Sequence, residues 1–192
     1  MRILMRELAG AKVLAGAPNG QKVLMKLMEQ TGREPAGPEP VFLDFSGVEV
    51  ATASFLRESI LAFRDTVRNR RSNFYPVIAN VNDLIADELA VLLAPHGDVL
   101  MLCTLDQKGR AHEAHLAGDL DPKQRVTFNL VRERGETDAA ELMRVHGKDE
   151  GVKQTAWNNR LAALANLGLV VELSEGRAKR YRPLFTEVQY GN

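Results

Sequence analysis

The sequence contains a single cysteine, Cys103, so no disulfide can form within the chain. A lone cysteine inside an apolar run is typical of a small core residue in a protein from a reducing compartment. The longest apolar runs, such as residues 99–103, are far shorter than the roughly 20 residues of a membrane-spanning helix. The N-terminus also lacks the apolar stretch of a signal peptide. These features predict a cytoplasmic protein that makes no membrane contact.

Catalytic motifs are also scarce. The sequence has no glycine-rich phosphate loop, no Gly-x-Ser-x-Gly motif and no pair of cysteines. His112 and His115 are one residue short of the His-Glu-x-x-His spacing, and on a strand they would point to opposite faces. Asp44 and Asp65 are isolated acids. We therefore expect neither an enzyme nor a bound metal or cofactor.

The net charge of the chain is zero, because 25 Lys or Arg balance 25 Asp or Glu. This balance argues against a general binder of nucleic acids or anionic membranes. The distribution is uneven, however. Residues 119–150 hold six basic and eight acidic side chains, whereas residues 151–186 hold six basic and two acidic ones. A local basic patch on a neutral protein is the pattern expected of a nucleic-acid contact confined to one region.

Strands and helices alternate through the first part of the chain. A near-continuous apolar strand is predicted at residues 41–45, the pattern of a strand covered on both faces. Further strands are predicted at residues 2–8, 12–14, 74–81, 98–105 and, as a last edge strand, 111–116; helices are predicted at residues 21–30, 54–70 and 83–93. Thr52 or Ser54 is suited to cap the helix at 54–70. This alternation is typical of an α/β fold, in which crossover helices pack on a sheet.

A domain boundary is predicted within residues 117–122, which divides the chain into domains 1–118 and 119–192. Asp121 and Pro122 suit the cap and the first turn of a helix, respectively. Three helices are expected in the second domain, at residues 122–134, 137–146 with Thr137 as its cap, and 152–166. Gly147 and Gly168 stand where helices should end.

The last of these helices is amphipathic. Leu161, Leu164 and Leu167 recur at three-residue steps, and Trp157 lies four residues before the first of them. Trp157 is therefore interpreted as a core residue rather than a base-stacking one. Two short strands joined by an arginine-rich turn are expected after the helix.

The sequence TAWNNRLAALANLGLV, followed by ELSEGRAKRYRPL, resembles the winged helix-turn-helix DNA-binding domains of bacterial transcription regulators. One departure is the segment before the helix: residues 147–151 are interpreted as an extended turn, about four residues longer than the compact turn of such domains. The resemblance implies double-stranded DNA as the partner. It also allows a homodimer, since such regulators usually bind pseudo-symmetric sites with two heads.

Nine residues are candidates for DNA contact. Asn and Gln pair with adenine through two hydrogen bonds, and basic side chains hold phosphates. Base edges would be read by Gln154, Thr155, Asn158 and Asn159, phosphates would be held by Lys153 and Arg160, and the DNA backbone or minor groove would be met by Arg177, Lys179 and Arg180 at the hairpin tip. A merely solvated hairpin is the alternative for the last three.

The sequence LDFSGVEVATASFLRES at residues 43–59, with Asn19-Gly20-Gln21-Lys22 before it, resembles the STAS-like family of unknown function, relatives of the anti-sigma-factor antagonists. In antagonists a strand is followed by Asp-Ser-Ser-Gly, whose second serine is phosphorylated by a partner kinase. The equivalent residues in this chain are Thr52-Ala53-Ser54-Phe55. Ser54 keeps the hydroxyl, while Thr replaces the acid and Phe replaces the glycine. Ser54 is thus either a helix cap or a phosphoacceptor.

Two functional hypotheses follow from these observations. In the first, the chain is a DNA-binding transcription regulator with a STAS-like regulatory or partner-binding domain. In the second, it is a protein-interaction adaptor of the antagonist type, which docks on a kinase-like partner and is switched by phosphorylation of Ser54. The positive patch favours the first hypothesis.

Overall fold

The computed structural model describes residues 1–175, 178–187 and 189–190. The chain divides into two compact units. Unit 1 is Met1–Asp119 together with a C-terminal strand, and unit 2 is Leu120–Glu187.

Unit 1 is built on a six-stranded, mostly parallel sheet. Its strands are β1 (Arg2–Leu4), β3 (Glu39–Asp44), β5 (Phe74–Ala79), β6 (Val99–Leu105), β7 (Ala111–Gly118) and β10 (Gln189–Tyr190), in the order β1-β3-β5-β6-β7-β10. The first four strands are mutually parallel, β7 is antiparallel to β6, and β10 is parallel to β7. The predicted α/β class is confirmed. All six residues of β5 are buried, as expected of a strand covered on both faces.

Helices connect these strands, and two further strands form a small parallel sheet. The helices are α1 (Met5–Ala9), α2 (Ala17–Gln30), α3 (Ala53–Leu56), α4 (Ala62–Asn69) and α5 (Asp83–Leu93); the small sheet pairs β2 (Val13–Leu14) with β4 (Val50–Ala51). A π-helical segment, Arg57–Leu61, joins α3 to α4. The apolar core of unit 1 is continuous, and among its fully enclosed residues are Leu27, Leu43, Phe55, Phe63 and Leu89.

The structure corrects two predictions in unit 1. The strand predicted at residues 2–8 ends at Leu4, and Met5–Ala9 is a helix that closes at the left-handed Gly10. Met, Arg, Glu, Leu and Ala are all strong helix formers, and Met5 is fully buried. The strand at 111–116 is not the sheet edge over its last residues, because β10 pairs with His115 and Leu116. That partner lies more than 70 residues further along the chain, beyond the reach of local pattern analysis.

Unit 2 contains three helices and a hairpin. The helices are α6 (Pro122–Arg134), α7 (Ala139–Glu150) and α8 (Gln154–Asn166); the hairpin pairs β8 (Val170–Glu175) with β9 (Ala178–Pro183) in antiparallel register. Thr137 adds a single antiparallel bridge to Tyr181, in which the N–H of each residue donates to the carbonyl of the other at 2.9 and 2.8 Å. The core includes Phe128, Leu142, Trp157, Leu161 and Tyr181.

Two helix-end predictions in unit 2 are wrong. Thr137 does not cap α7: its backbone is used in the bridge to Tyr181, and the side chain of Asp138 accepts from Glu141 N at 2.8 Å. Gly147 does not end α7, which continues to Glu150 and closes at Gly151 with φ +63°. A Cβ at Gly147 would lie 3.2 Å from Cγ of the flexible Met143 side chain and 3.5 Å from Val152 O, an ordinary van der Waals separation.

None of the helices in the described ranges combines the length and the apolar character required to cross a membrane.

Candidate nucleic-acid interface

Helix α8 has two chemically distinct faces. Trp157, Leu161, Leu164 and Ala165 are at most 3% exposed and pack into the core of unit 2. The predicted contact residues at the start of the helix all lie on the exposed side: Lys153, Gln154, Thr155, Asn158 and Asn159. The segment 151–171 contains no Asp or Glu, so no carboxylate within it competes for these donors. Amide side chains grouped at the amino end of a helix have the chemistry that reads base edges.

The connection between α7 and α8 is short. Gly151 closes α7 in the left-handed conformation, and Lys153 is the N-cap of α8, with an extended backbone at φ −83° and ψ 164°. The extended turn predicted at residues 147–151 is therefore wrong, since 147–150 are helical. Only residues 151–153 connect the two helices, which is the compact turn length of helix-turn-helix motifs.

Arg180, a predicted DNA contact, is engaged by acids within unit 2. Its Nε donates to Glu136 Oε1, and its Nη1 lies 3.7 Å from Asp138 Oδ2. The hydrogen bond to Glu136 raises the pKa of Arg180, so the guanidinium remains charged but its charge is compensated. Asp138 is the N-cap of α7 and Glu136 lies two residues before it. The sequence pattern did not connect them with the hairpin, because 44 residues separate Glu136 from Arg180.

The remaining basic residues of the hairpin differ in whether an acid already pairs with them. Lys179 is exposed, but its Nζ lies 2.8 Å from Glu172 Oε1 on the neighbouring strand. Arg177 lies outside the described residues. Arg182 is exposed and forms no ion pair with any residue in the described ranges. Sequence reasoning missed Arg182, although a signal existed: it alternates with the buried Tyr181 along β9, two residues after Arg180.

Arg160 lies against the core of unit 2 and is not grouped with the exposed amides. It is half-buried, and its guanidinium carbon lies 4.9 Å from the centre of the Trp157 ring. Contact with the face of an indole ring stabilises a cation and holds its stem in place. To contact a phosphate, as predicted, the Arg160 side chain would have to leave its contact with the Trp157 ring.

Ser54 lies at the amino end of α3 in unit 1. The cap is Thr52, whose Oγ1 accepts from Phe55 N at 3.4 Å, while Ser54 Oγ lies 3.2 Å from that same oxygen. The carboxylate of Glu88 already accepts from Ala53 N at 2.9 Å. One backbone N–H at this helix end is therefore already bound to a carboxylate and is not free to donate to a phosphate on Ser54. The phosphoacceptor assignment stays a prediction that these contacts do not favour.

Asp44, interpreted from sequence as an isolated acid, is the last residue of β3 and connects three neighbouring strands of the main sheet. It is fully buried and accepts from Arg2 Nε at 2.6 Å, from Ser46 N and Oγ at 2.8 and 2.7 Å, and from Asn80 Nδ2 at 2.9 Å. Burial by itself would raise the pKa of Asp44, but these hydrogen bonds prevail and hold it below its ordinary value. A carboxylate with this many donors is a structural anchor.

Histidines, cysteine and acids do not come together as a metal site in the described part of the chain. His112 and His115 occupy β7, where His115 Nδ1 lies 2.9 Å from Glu113 O. Comparison of the chain with protein-family models and with curated proteins finds no match to either.

Proposed function

We propose that this protein is a DNA-binding transcription regulator. In this proposal unit 2 is a winged helix-turn-helix head, α8 is the recognition helix that enters the major groove, and the β8–β9 hairpin is the wing. The observation that carries the proposal is the exposed row of amide and hydroxyl side chains at the amino end of α8, opposite a face that is buried in the core.

The order of elements supports this assignment. Unit 2 begins with a helix and a single bridging residue. Two helices joined by three residues follow, and then a hairpin. The bridge from Thr137 to Tyr181 places the segment before α7 beside β9, so the hairpin has a third backbone partner. Helix-turn-helix domains require such support because base contacts depend on a recognition helix held in one orientation.

The positive surface of the proposed head is smaller than the sequence predicts. Because Arg180 and Lys179 are paired with acids, phosphate contacts are assigned chiefly to Lys153 and Arg182, which have no ion pairs among the described residues. We expect modest affinity for each head and specific binding as a homodimer, since two heads double the phosphate contacts.

Unit 1 would be the STAS-like regulatory or partner-binding part of this regulator. Its parallel sheet, with helices that connect adjacent strands, and the strand-to-helix passage from β3 to α3 are compatible with that family. The kinase-switched adaptor is not proposed, because Glu88 occupies the helix end that a phosphate on Ser54 would need.

The direct test is selection of bound duplexes from a random DNA pool by the whole protein, followed by fluorescence anisotropy at several salt concentrations. Affinity should fall with salt, and Lys153→Ala and Arg182→Ala should each reduce the slope of log affinity against log salt by about 1. Failure to enrich any sequence, with no retention of DNA at low salt, would contradict the proposal.

Base readout is tested by Asn158→Ala and Asn159→Ala. Each should cost about 1–3 kcal/mol of binding to the selected sequence and relax the preference at one base pair. Asn166→Ala is the matched control, since Asn166 is an exposed asparagine at the opposite end of the same helix, roughly 12 Å from Asn158 along the axis. Equal losses in all three variants would exclude the assigned orientation of α8.

A further inference from the structure

A groove of about 710 Å³ lies in unit 1 between α2, β2 and the amino end of α3. Its apolar wall includes Val13, Leu14, Val23 and Phe55. Two apolar side chains on its border are solvent-exposed, Val13 at 54% and Met25 at 73%. Contact of these apolar side chains with water is unfavourable, and an apolar ligand in the groove would shield them from it.

The groove also carries charge. Lys22 and Lys26 border it from the same face of α2, one helical turn apart, and Glu29 follows one turn further on. Like charges at this spacing repel each other. Lys26 Nζ donates to Leu8 O at 2.7 Å, whereas Lys22 makes no ion pair or hydrogen bond within the described ranges. The three side chains leave a net charge of +1 on the rim.

The lysines are the basic groups on this rim, and the wall beneath them is apolar. An apolar wall with lysines on its rim matches a ligand that has a hydrocarbon body and one anionic head.

We propose that this groove binds an amphipathic carboxylate, an aliphatic acid whose tail packs on the exposed Val13 and Met25, above the buried Leu14 and Val23, and whose carboxylate lies between Lys22 and Lys26. The site does not depend on the proposed DNA-binding function.

A ligand in the groove would lie next to the start of α3. Phe55 forms part of the wall and immediately follows Ser54. Helix α2 also packs directly on this segment, because a Cβ at Gly20 would lie only 2.8 Å from Phe55 O and 2.9 Å from Glu58 Cβ. The π-helical segment Arg57–Leu61 begins two residues after Phe55, and π-helical turns occur often at functional sites.

The test titrates the whole protein with decanoate below its micelle concentration, by calorimetry, and compares it with decyltrimethylammonium, which has the same tail and the opposite charge. Decanoate should saturate a single site and bind at least about tenfold more tightly than the cation, a difference of about 1.4 kcal/mol. No saturation with decanoate, or equal affinity for the two probes, would overturn the proposal.

Three variants locate the site. Lys22→Glu should weaken decanoate binding at least about fivefold through charge reversal at close range. Ala11→Trp places a large ring at an exposed position on the groove wall and should abolish binding, with an unchanged circular dichroism spectrum. Lys108→Glu, at an exposed turn outside the groove, is the matched control and should bind decanoate as the parent does.

Equal binding by Lys22→Glu and Lys108→Glu would overturn the proposal. So would self-association of the protein that Ala11→Trp abolishes without any saturable decanoate binding, because the groove would then belong to a second copy of the chain.

Discussion

Asp44 shows at the residue scale how a buried charge becomes a structural element. Its oxygens accept from β1 through Arg2, from the following turn through Ser46 and from the end of β5 through Asn80. Asn80 can reach it because it adopts a left-handed backbone, with φ +55°. Asparagine tolerates this conformation better than most residues. The carboxylate therefore connects three neighbouring strands of the parallel sheet.

We expect Asp44→Asn to lower the free energy of unfolding by about 2–3 kcal/mol, because an amide cannot accept all of these hydrogen bonds. The pH dependence has a definite sign. The folded pKa of Asp44 is lowered, so its contribution is present above the unfolded pKa of about 3.9 and is lost as the pH falls through the folded value.

Urea unfolding of the parent and of Asp44→Asn, measured between pH 3 and pH 7, checks this prediction. The difference between the two proteins should be largest near neutral pH and should shrink below about pH 4. A difference that is constant across the range would mean that the charge of Asp44 is not responsible.

Cys103 is predicted to be chemically inert in the folded protein. It is only 3% exposed, and burial, together with the nearby charge of Asp44, raises its pKa to about 12. The thiolate is the reactive form, so alkylation by iodoacetamide at pH 8 should be slow in buffer and fast in denaturant. Rapid labelling of the native protein, followed by mass spectrometry, would contradict the buried placement.

At the scale of elements, α7 and its turn decide the geometry of the proposed DNA-binding head. The sequence suggested a long turn because Gly147 resembles a helix terminator. In the structure Gly147 is helical, and the terminator is Gly151, four residues later. The two glycines differ in backbone conformation: Gly151 adopts φ +63°, which favours glycine at a helix end, whereas Gly147 lies within α7.

Opposite effects are expected for alanine at these two glycines. Gly147→Ala should be neutral or stabilise by up to about 1 kcal/mol, since a helix interior favours alanine and Met143 can move aside. Gly151→Ala should destabilise by about 1 kcal/mol because of its positive φ. Thermal unfolding of both variants checks this; destabilisation by Gly147→Ala that exceeds that of Gly151→Ala would contradict the helix boundary.

The net charge of the hairpin could not be predicted from its own sequence. Its basic composition predicted a positive wing, but Glu136, Asp138 and Glu172 approach from other parts of unit 2 and compensate Arg180 and Lys179. Charge counts along a sequence window do not include partners brought in by the fold. Among the described residues of the hairpin, Arg182 keeps an available charge, and it lies on the strand face that points away from the core.

At the scale of the whole molecule, the chain consists of two units that each have a core. Trp157 is the only tryptophan and is fully buried in unit 2, so its fluorescence reports on that unit alone. We expect Asp44→Asn to move part of the circular dichroism change, the part that comes from unit 1, to lower urea while the tryptophan transition of unit 2 keeps its midpoint. An equal shift of both transitions would show that the units unfold as one.

Local sequence patterns were sufficient to predict the α/β class, the core position of Trp157, and the bounds of helices such as Asp83–Leu93 and Pro122–Arg134. Those features depend on hydrophobic periodicity and on caps, which are encoded within a few neighbouring residues. The tertiary structure was needed to show which sheet position β7 holds, which arginines carry uncompensated charge, and that an apolar groove borders Phe55. Each of these depends on groups that are distant in sequence, and only folding brings their backbones and charges into contact.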